Sequence, residues 1–132
     1  MFFCFVSEIY KLRFLAVDDD PQPLKTLAWL LSRQFPDAFI DKFLSPVSAL
    51  ESIAQEKFDV IFSDVEMPEI DGFELFRKAQ EITPDVPVIL MSGMDCYAAR
   101  ARALGMGFVK KPYDYHNLVA VAKKYIPSRL GS

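Results

Sequence analysis

Residues 59–72 read DVIFSDVEMPEIDG, and the fold of the whole chain turns on how this stretch is understood. Val60, Ile61 and Phe62 form a short apolar run of the kind that becomes a strand buried on both faces of a parallel sheet. Ser63 and Asp64 follow, so a carboxylate stands where that strand should meet solvent. Met67-Pro68 stops a helix from starting there, and Asp71-Gly72 marks a turn before a helical pattern resumes. In open α/β sheets, ligands bind outside the carboxyl ends of the strands. Asp64 is therefore the candidate reactive group.

Working outward, the same alternation of short apolar runs and helical patterns repeats. Residues 14–17 (FLAV) read as a first strand, followed at once by Asp18-Asp19-Asp20-Pro21. Acidic side chains and a proline suit the first turn of a helix. That helix carries Leu24, Leu27, Ala28 and Leu31 at the spacing of a buried stripe, with Trp29 off it as a surface aromatic. Residues 38–43 give a second strand. Ser45 can cap the next helix, with Pro46 at its first position and Val47, Leu50 and Ala54 inward.

After Asp64 and its turn, Leu75, Phe76, Ala79 and Ile82 share a helix face. Residues 88–91 (VILM) form a fourth strand closed by Ser92-Gly93, and a helix over roughly 96–104 stops at Gly105. Residues 108–110 make a short fifth strand running into Lys111-Pro112. Asp114 can cap a last helix with Leu118, Val121, Ala122 and Tyr125 on one side, ended by Pro127. Five short apolar strands alternating with five helices require a parallel sheet covered on both faces. The fold class is thus α/β, doubly wound, flavodoxin-like, with strand order 2-1-3-4-5.

The composition fits one such domain: 132 residues, 52% of them hydrophobic. A net charge of -3 speaks against direct nucleic-acid binding. Cys4 and Cys96 have neither metal-type spacing nor a disulfide framework, which points to a reducing, cytoplasmic setting. No run approaches the roughly 18 apolar residues of a membrane span, so no membrane partner is expected. Residues 1–10 (MFFCFVSEIY) are read as an N-terminal extension, 11–128 as the folded domain and 129–132 as a C-terminal tail. The extension is either a tail or a start-site artefact, or else a sticky segment that pairs with a sheet edge or a second subunit.

All strand ends of a parallel sheet lie along one edge, so Asp18, Asp19, Asp64, Ser92 and Lys111 should converge. Taken singly, each has a plain structural reading: helix cap, turn, surface lysine. Their weight comes from falling at four of the five strand ends. Three neighbouring carboxylates repel one another unless a cation joins them. Oxygen ligands without His or Cys favour a hard divalent ion such as Mg²⁺. Lys111 adds a compact positive charge and Ser92 a hydroxyl donor. The set suits a phosphoryl group arriving at Asp64 as nucleophile.

FLAVDDDP, VIFSDVEMPEIDG, PVILMSG and FVKKP, in this order and at these spacings, make the chain resemble the receiver domains of two-component response regulators, such as the stand-alone chemotaxis regulator. The resemblance covers about residues 12–127. It implies that Asp64 accepts phosphoryl from a sensor histidine kinase or histidine phosphotransfer protein. Asp18 and Asp19 would hold Mg²⁺ with Asp64, the backbone carbonyl of Glu66 completing the metal site. It also makes Ser92 the switch hydroxyl, Phe108 the switch aromatic and Lys111-Pro112 a cis peptide. Lys110 should point to the opposite face from Lys111. Such a domain catalyses only its own phosphorylation and dephosphorylation, and signals to a downstream protein or a homodimer through the surface of the fourth helix, fifth strand and fifth helix. Serine for the commoner threonine keeps the hydroxyl at 92, and phenylalanine for tyrosine leaves position 108 to act by packing alone.

Two other readings compete. A docking module independent of phosphorylation could keep the fold, but the intact Asp18, Asp19, Asp64, Ser92 and Lys111 set speaks against it. A Mg²⁺-dependent aspartyl phosphohydrolase would want a second acid two residues after the nucleophile, where Glu66 is a poor substitute, and a substrate cap. The expectation is either a single-domain regulator or a piece of a longer one.

Overall fold

The computed structural model describes residues 11–126. The readings made for residues 1–10 and 127–132, including the stop at Pro127, lie outside the described residues.

Five strands, β1 (Arg13–Val17), β2 (Phe39–Phe43), β3 (Val60–Asp64), β4 (Val88–Ser92) and β5 (Gly107–Lys110), form one sheet in the order β2-β1-β3-β4-β5. All four pairings are parallel, with Phe14 beside Val60, Ile61 beside Val88 and Ile89 beside Gly107. The helices are α1 (Pro21–Gln34), α2 (Pro46–Gln55), α3 (Gly72–Ile82), α4 (Ala98–Ala103) and α5 (Tyr115–Tyr125). The 96–104 expectation resolves into a 3₁₀ turn over Asp95–Tyr97 followed by the short α4. No helix among the described residues is long and apolar enough to cross a membrane.

Alternation along each strand divides the core in two. Phe14, Ala16 and Phe62 point to one face, where Leu24, Leu27 and Leu31 of α1 and Leu118 and Ala122 of α5 cover them. Leu15, Val17 and Ile61 point to the other, against Ala49 and Ile53 of α2, Leu75 and Ala79 of α3 and Ala101 of α4. Both faces being buried is what makes β3 and β4 continuous apolar runs.

Two helix faces differ from expectation. In α2 the buried side is Pro46, Ala49 and Ile53, while Val47 is 43% exposed and Ala54 faces solvent. Both sets are apolar and share the helical period, so periodicity alone does not choose between them. In α3, Ile82 is exposed because it is the final residue of the helix, and Phe73 in the first turn is buried instead. Asp71 is a helix cap rather than a free turn residue: its carboxylate accepts from the Glu74 N–H. Gly105 stops the α4 segment in the left-handed region, with φ 81°.

Candidate phosphoryl-acceptor site

The carboxyl ends of β1, β3, β4 and β5 meet along one edge of the sheet, and each delivers its polar residue there. Asp18 follows β1 and is fully buried. Its N–H donates to the Phe43 carbonyl at 3.1 Å, which ties the turn to β2. Its Oδ1 accepts from the Asp20 N–H at 2.9 Å, and Asp20 in turn caps α1 through the Gln22 N–H. The triple-aspartate stretch thus divides its work: the outer two hold the turn and helix start, while Asp18 Oδ2 is left to face the site.

Lys111 fills the gap between the strands. Its Nζ lies 2.7 Å from Asp18 Oδ2 and 2.9 Å from Asp64 Oδ1. Lys111-Pro112 is cis, and Lys110 points the other way to Asp95 at 3.1 Å. Carboxylate oxygens of Asp18, Asp19 and Asp64 lie within 4.8 Å of one another, with Asp19 on the exposed side. An all-oxygen cluster of this size, open on one side, fits a hard divalent cation.

The electrostatics follow from burial. Desolvation pushes the Asp64 carboxyl up; the Lys111 hydrogen bond pulls it down, and the Asp18 charge pushes it up again, leaving it at about 6. Burial alone would lower the Lys111 ammonium, but its bonds to Asp18 and Asp64 outweigh that and raise it. One cation among three carboxylates leaves the site short of positive charge. That deficit is what a bound metal ion would remove.

Ser92 ends β4, is 3% exposed, and accepts from the Met94 N–H through Oγ at 3.0 Å. Phe108 on β5 is half-buried against the α2–α4 side of the core. Glu66, two residues past Asp64, is exposed and accepts from the Tyr97 hydroxyl at 3.3 Å. Asp18, Asp19, Asp64, Glu66, Ser92 and Lys111 lie on or beside this edge, while Phe108 lies further back along β5, opposite Leu90.

Three neighbours were not singled out. Ser63 is fully buried and donates to the Asp64 carbonyl at 2.9 Å. Tyr113 donates to the Met91 sulfur at 3.2 Å, and burial together with the Asp18 and Asp64 charges keeps its phenol protonated. Tyr97 links Glu66 to the segment before α4. A Ser inside an apolar strand was a legible signal for the first; the tyrosines reach the site only through the tertiary fold.

The sequence model of the family described as "Response regulator receiver domain" matches residues 14–123. The chain belongs to that family. It is 31% identical over 112 residues to the response regulator MprA of Mycobacterium leprae, covering 83% of this chain and 48% of that protein. It is 30% identical over 115 residues to the DNA-binding transcriptional regulator NtrC of Escherichia coli, covering 83% of this chain and 24% of that protein. The chain thus spans about half or less of the curated relatives it matches. Among solved structures, the response regulator TrrA of Thermotoga maritima, in complex with Mg²⁺ and beryllium fluoride, aligns with a TM-score of 0.78 at 25% identity, over 87% of this chain and 99% of that one. The receiver domain has the flavodoxin-like strand order that the sequence implied.

Proposed function

We propose that this receiver domain is a phosphorylation switch in which Asp64 takes a phosphoryl group from a phosphohistidine of a sensor histidine kinase or histidine phosphotransfer protein. The observation that carries this reading is Lys111 Nζ held 2.7 Å from Asp18 and 2.9 Å from Asp64, with Asp19 completing the carboxylate cluster. The TrrA structure, with Mg²⁺ and beryllium fluoride bound to that protein, supports it.

In the transfer, an Asp64 oxygen bonds to phosphorus as the bond from phosphorus to the imidazole nitrogen breaks. The electron pair of that bond stays on the ring, and the product is an aspartyl phosphate. Water attacking phosphorus later returns the free carboxylate and inorganic phosphate. Asp18, Asp19 and Asp64, with the backbone carbonyl of Glu66, would hold Mg²⁺, which when bound neutralises charge on the phosphoryl oxygens. Lys111 contributes the second positive charge at a fixed position. Because Asp18 and Asp64 already hold it by two ion pairs, little reorganisation is needed when phosphoryl oxygens arrive. The domain catalyses only its own phosphorylation and hydrolysis.

Output uses Ser92 and Phe108. The Ser92 Oγ now accepts from Met94, so its proton is available to a phosphoryl oxygen. Drawing that loop inward gives the half-buried Phe108 room to turn into the core. The α4–β5–α5 surface then changes for a downstream protein or a homodimer, with residues 11–128 as the switching unit in the cytoplasm. The test is incubation with Mg²⁺ and radiolabelled acetyl phosphate. Label that survives acid, is lost in base and disappears with chelator is expected; label that resists base would exclude an acyl phosphate.

A further inference from the structure

At the opposite edge of the sheet from β5 stands the outer side of β2. This strand is at the sheet edge, and among the described residues no strand pairs with its outer side. Beside it runs a groove of about 410 Å³ between α1 and β2, lined by Lys25, Ala28, Trp29, Ser32, Ala38, Ile40 and Lys42. Trp29 is 60% exposed, with the Arg33 guanidinium 5.3 Å from its ring. On the opposite face of the edge strand, Phe39 is 56% exposed. Apolar side chains thus stand uncovered on both faces of a strand whose backbone edge is open.

The charges there are uneven. Asp41 is paired with Arg13 at 2.9 Å. Lys25 and Lys42 line the groove and make no ion pair among the described residues. Because α1 runs back along the sheet, Lys25 near its start stands level with Lys42 near the end of β2. Two unpaired cations at one end, a tryptophan in the middle and an open strand edge form a recognisable combination. Strand addition supplies main-chain hydrogen bonds, and alternate side chains supply specificity. The lysines select the sign of the partner's charge.

We propose that the α1–β2 groove receives an extended, acidic and apolar segment of a partner protein, which adds to the outer edge of β2 with an apolar side chain against Trp29 and a carboxylate beside Lys25 and Lys42. Lysine on an edge strand also discourages self-pairing. The two roles separate in the experiment, since only docking depends on the charge of an added peptide.

The chain has one tryptophan, so its emission reports on the groove directly. The probes are a short acetylated and amidated peptide, Glu-Val-Phe-Val-Glu, and its counterpart with both glutamates replaced by lysines. The acidic peptide is expected to shift Trp29 emission saturably and protect the outward-facing amides of Ile40 and Lys42 from exchange. Lys25→Glu/Lys42→Glu is expected to weaken it by about tenfold or more while leaving phosphorylation by acetyl phosphate intact. Equal response to the lysine peptide, or an unchanged titration with the double variant, overturns the proposal. So does a response that appears only after residues 1–10 are removed, which would assign the groove to this chain's own segment. Concentration-dependent dimerisation through β2 without peptide would assign it to a second copy and likewise overturn it.

Discussion

A β-carbon at Gly72 would stand 2.5 Å from the carbonyl oxygen of Asp64 and 2.8 Å from the Leu90 side chain. The start of α3 is therefore pressed against the backbone that presents the Asp64 carboxylate, an approach open only to glycine. The Asp64 carbonyl and the Val65 Cα are backbone atoms, so they cannot swing aside as the end of the Leu90 side chain could. Gly72→Ala is expected to destabilise the domain by about 2–3 kcal/mol and to lower the rate of labelling of Asp64. Urea denaturation measures the first and a labelling time course the second. Gly105→Ala, where only the φ of 81° is at stake and nothing lies within 4 Å of the added carbon, should cost about 1 kcal/mol.

The raised Asp64 pKa gives a pH signature in the metal-free protein. The folded carboxyl titrates at about 6 against 3.8 for the unconstrained group. Between those values the folded state holds a proton that the unfolded chain has lost. The stabilisation is therefore complete below pH 3.8 and is lost as pH rises through about 6. In chelator at neutral pH, Asp64→Asn should be more stable than wild type by about 1–2 kcal/mol, and the gap should close as pH falls toward 4. Thermal melts across that range measure it. A less stable Asp64→Asn at neutral pH would mean that its ion pair with Lys111 outweighs desolvation.

Lys111→Ala separates binding from relay. Without the ammonium, Asp18 and Asp64 face each other with no cation between them, so the metal-free domain should lose about 1–3 kcal/mol. Mg²⁺ affinity should persist or increase, since the lysine competes with the metal for the same carboxylates. Phosphorylation-dependent partner binding should fail. Calorimetric titration with Mg²⁺ and a binding assay on the phosphorylated variant read these separately.

Much of this arrangement was legible because a parallel sheet obeys strict rules. Continuous apolar runs at 60–62 and 88–91 mark strands buried on both faces, and the ends of such strands share one edge. Hence Asp18, Asp64, Ser92 and Lys111 could be placed together before any contact was known. The face of α2 was misjudged at Val47 and Ala54, which are as apolar as Ala49 and Ile53, whereas Leu50 does pack against the core; only the docked helix shows which side turns inward. Asp71 read as a turn because a cap and a turn share the same residue types. Tyr97 and Tyr113 carried no local signal at all: their roles come from contacts spanning 31 and 22 residues.

The proposed coupling of the site to the α4–β5–α5 face would run through contacts around α4. Asp95 is tied to Lys110, Tyr97 to Glu66, and the Arg100 guanidinium sits 3.8 Å from the Phe73 ring centre. These anchors link the segment after β4 to β5, to the loop after β3 and to α3. Adding beryllofluoride and Mg²⁺ should therefore shift backbone amides through residues 94–125 and leave 46–56 nearly silent. Shifts confined to the Asp64 loop would show an occupied site without a switch.

The central claim is that Asp64 is the phosphoryl acceptor, and intact mass tests it most directly. Wild type incubated with Mg²⁺ and acetyl phosphate should gain the mass of one phosphoryl group, while Asp64→Asn under the same conditions should gain none. An unchanged wild-type mass, or equal labelling of Asp64→Asn, would contradict it.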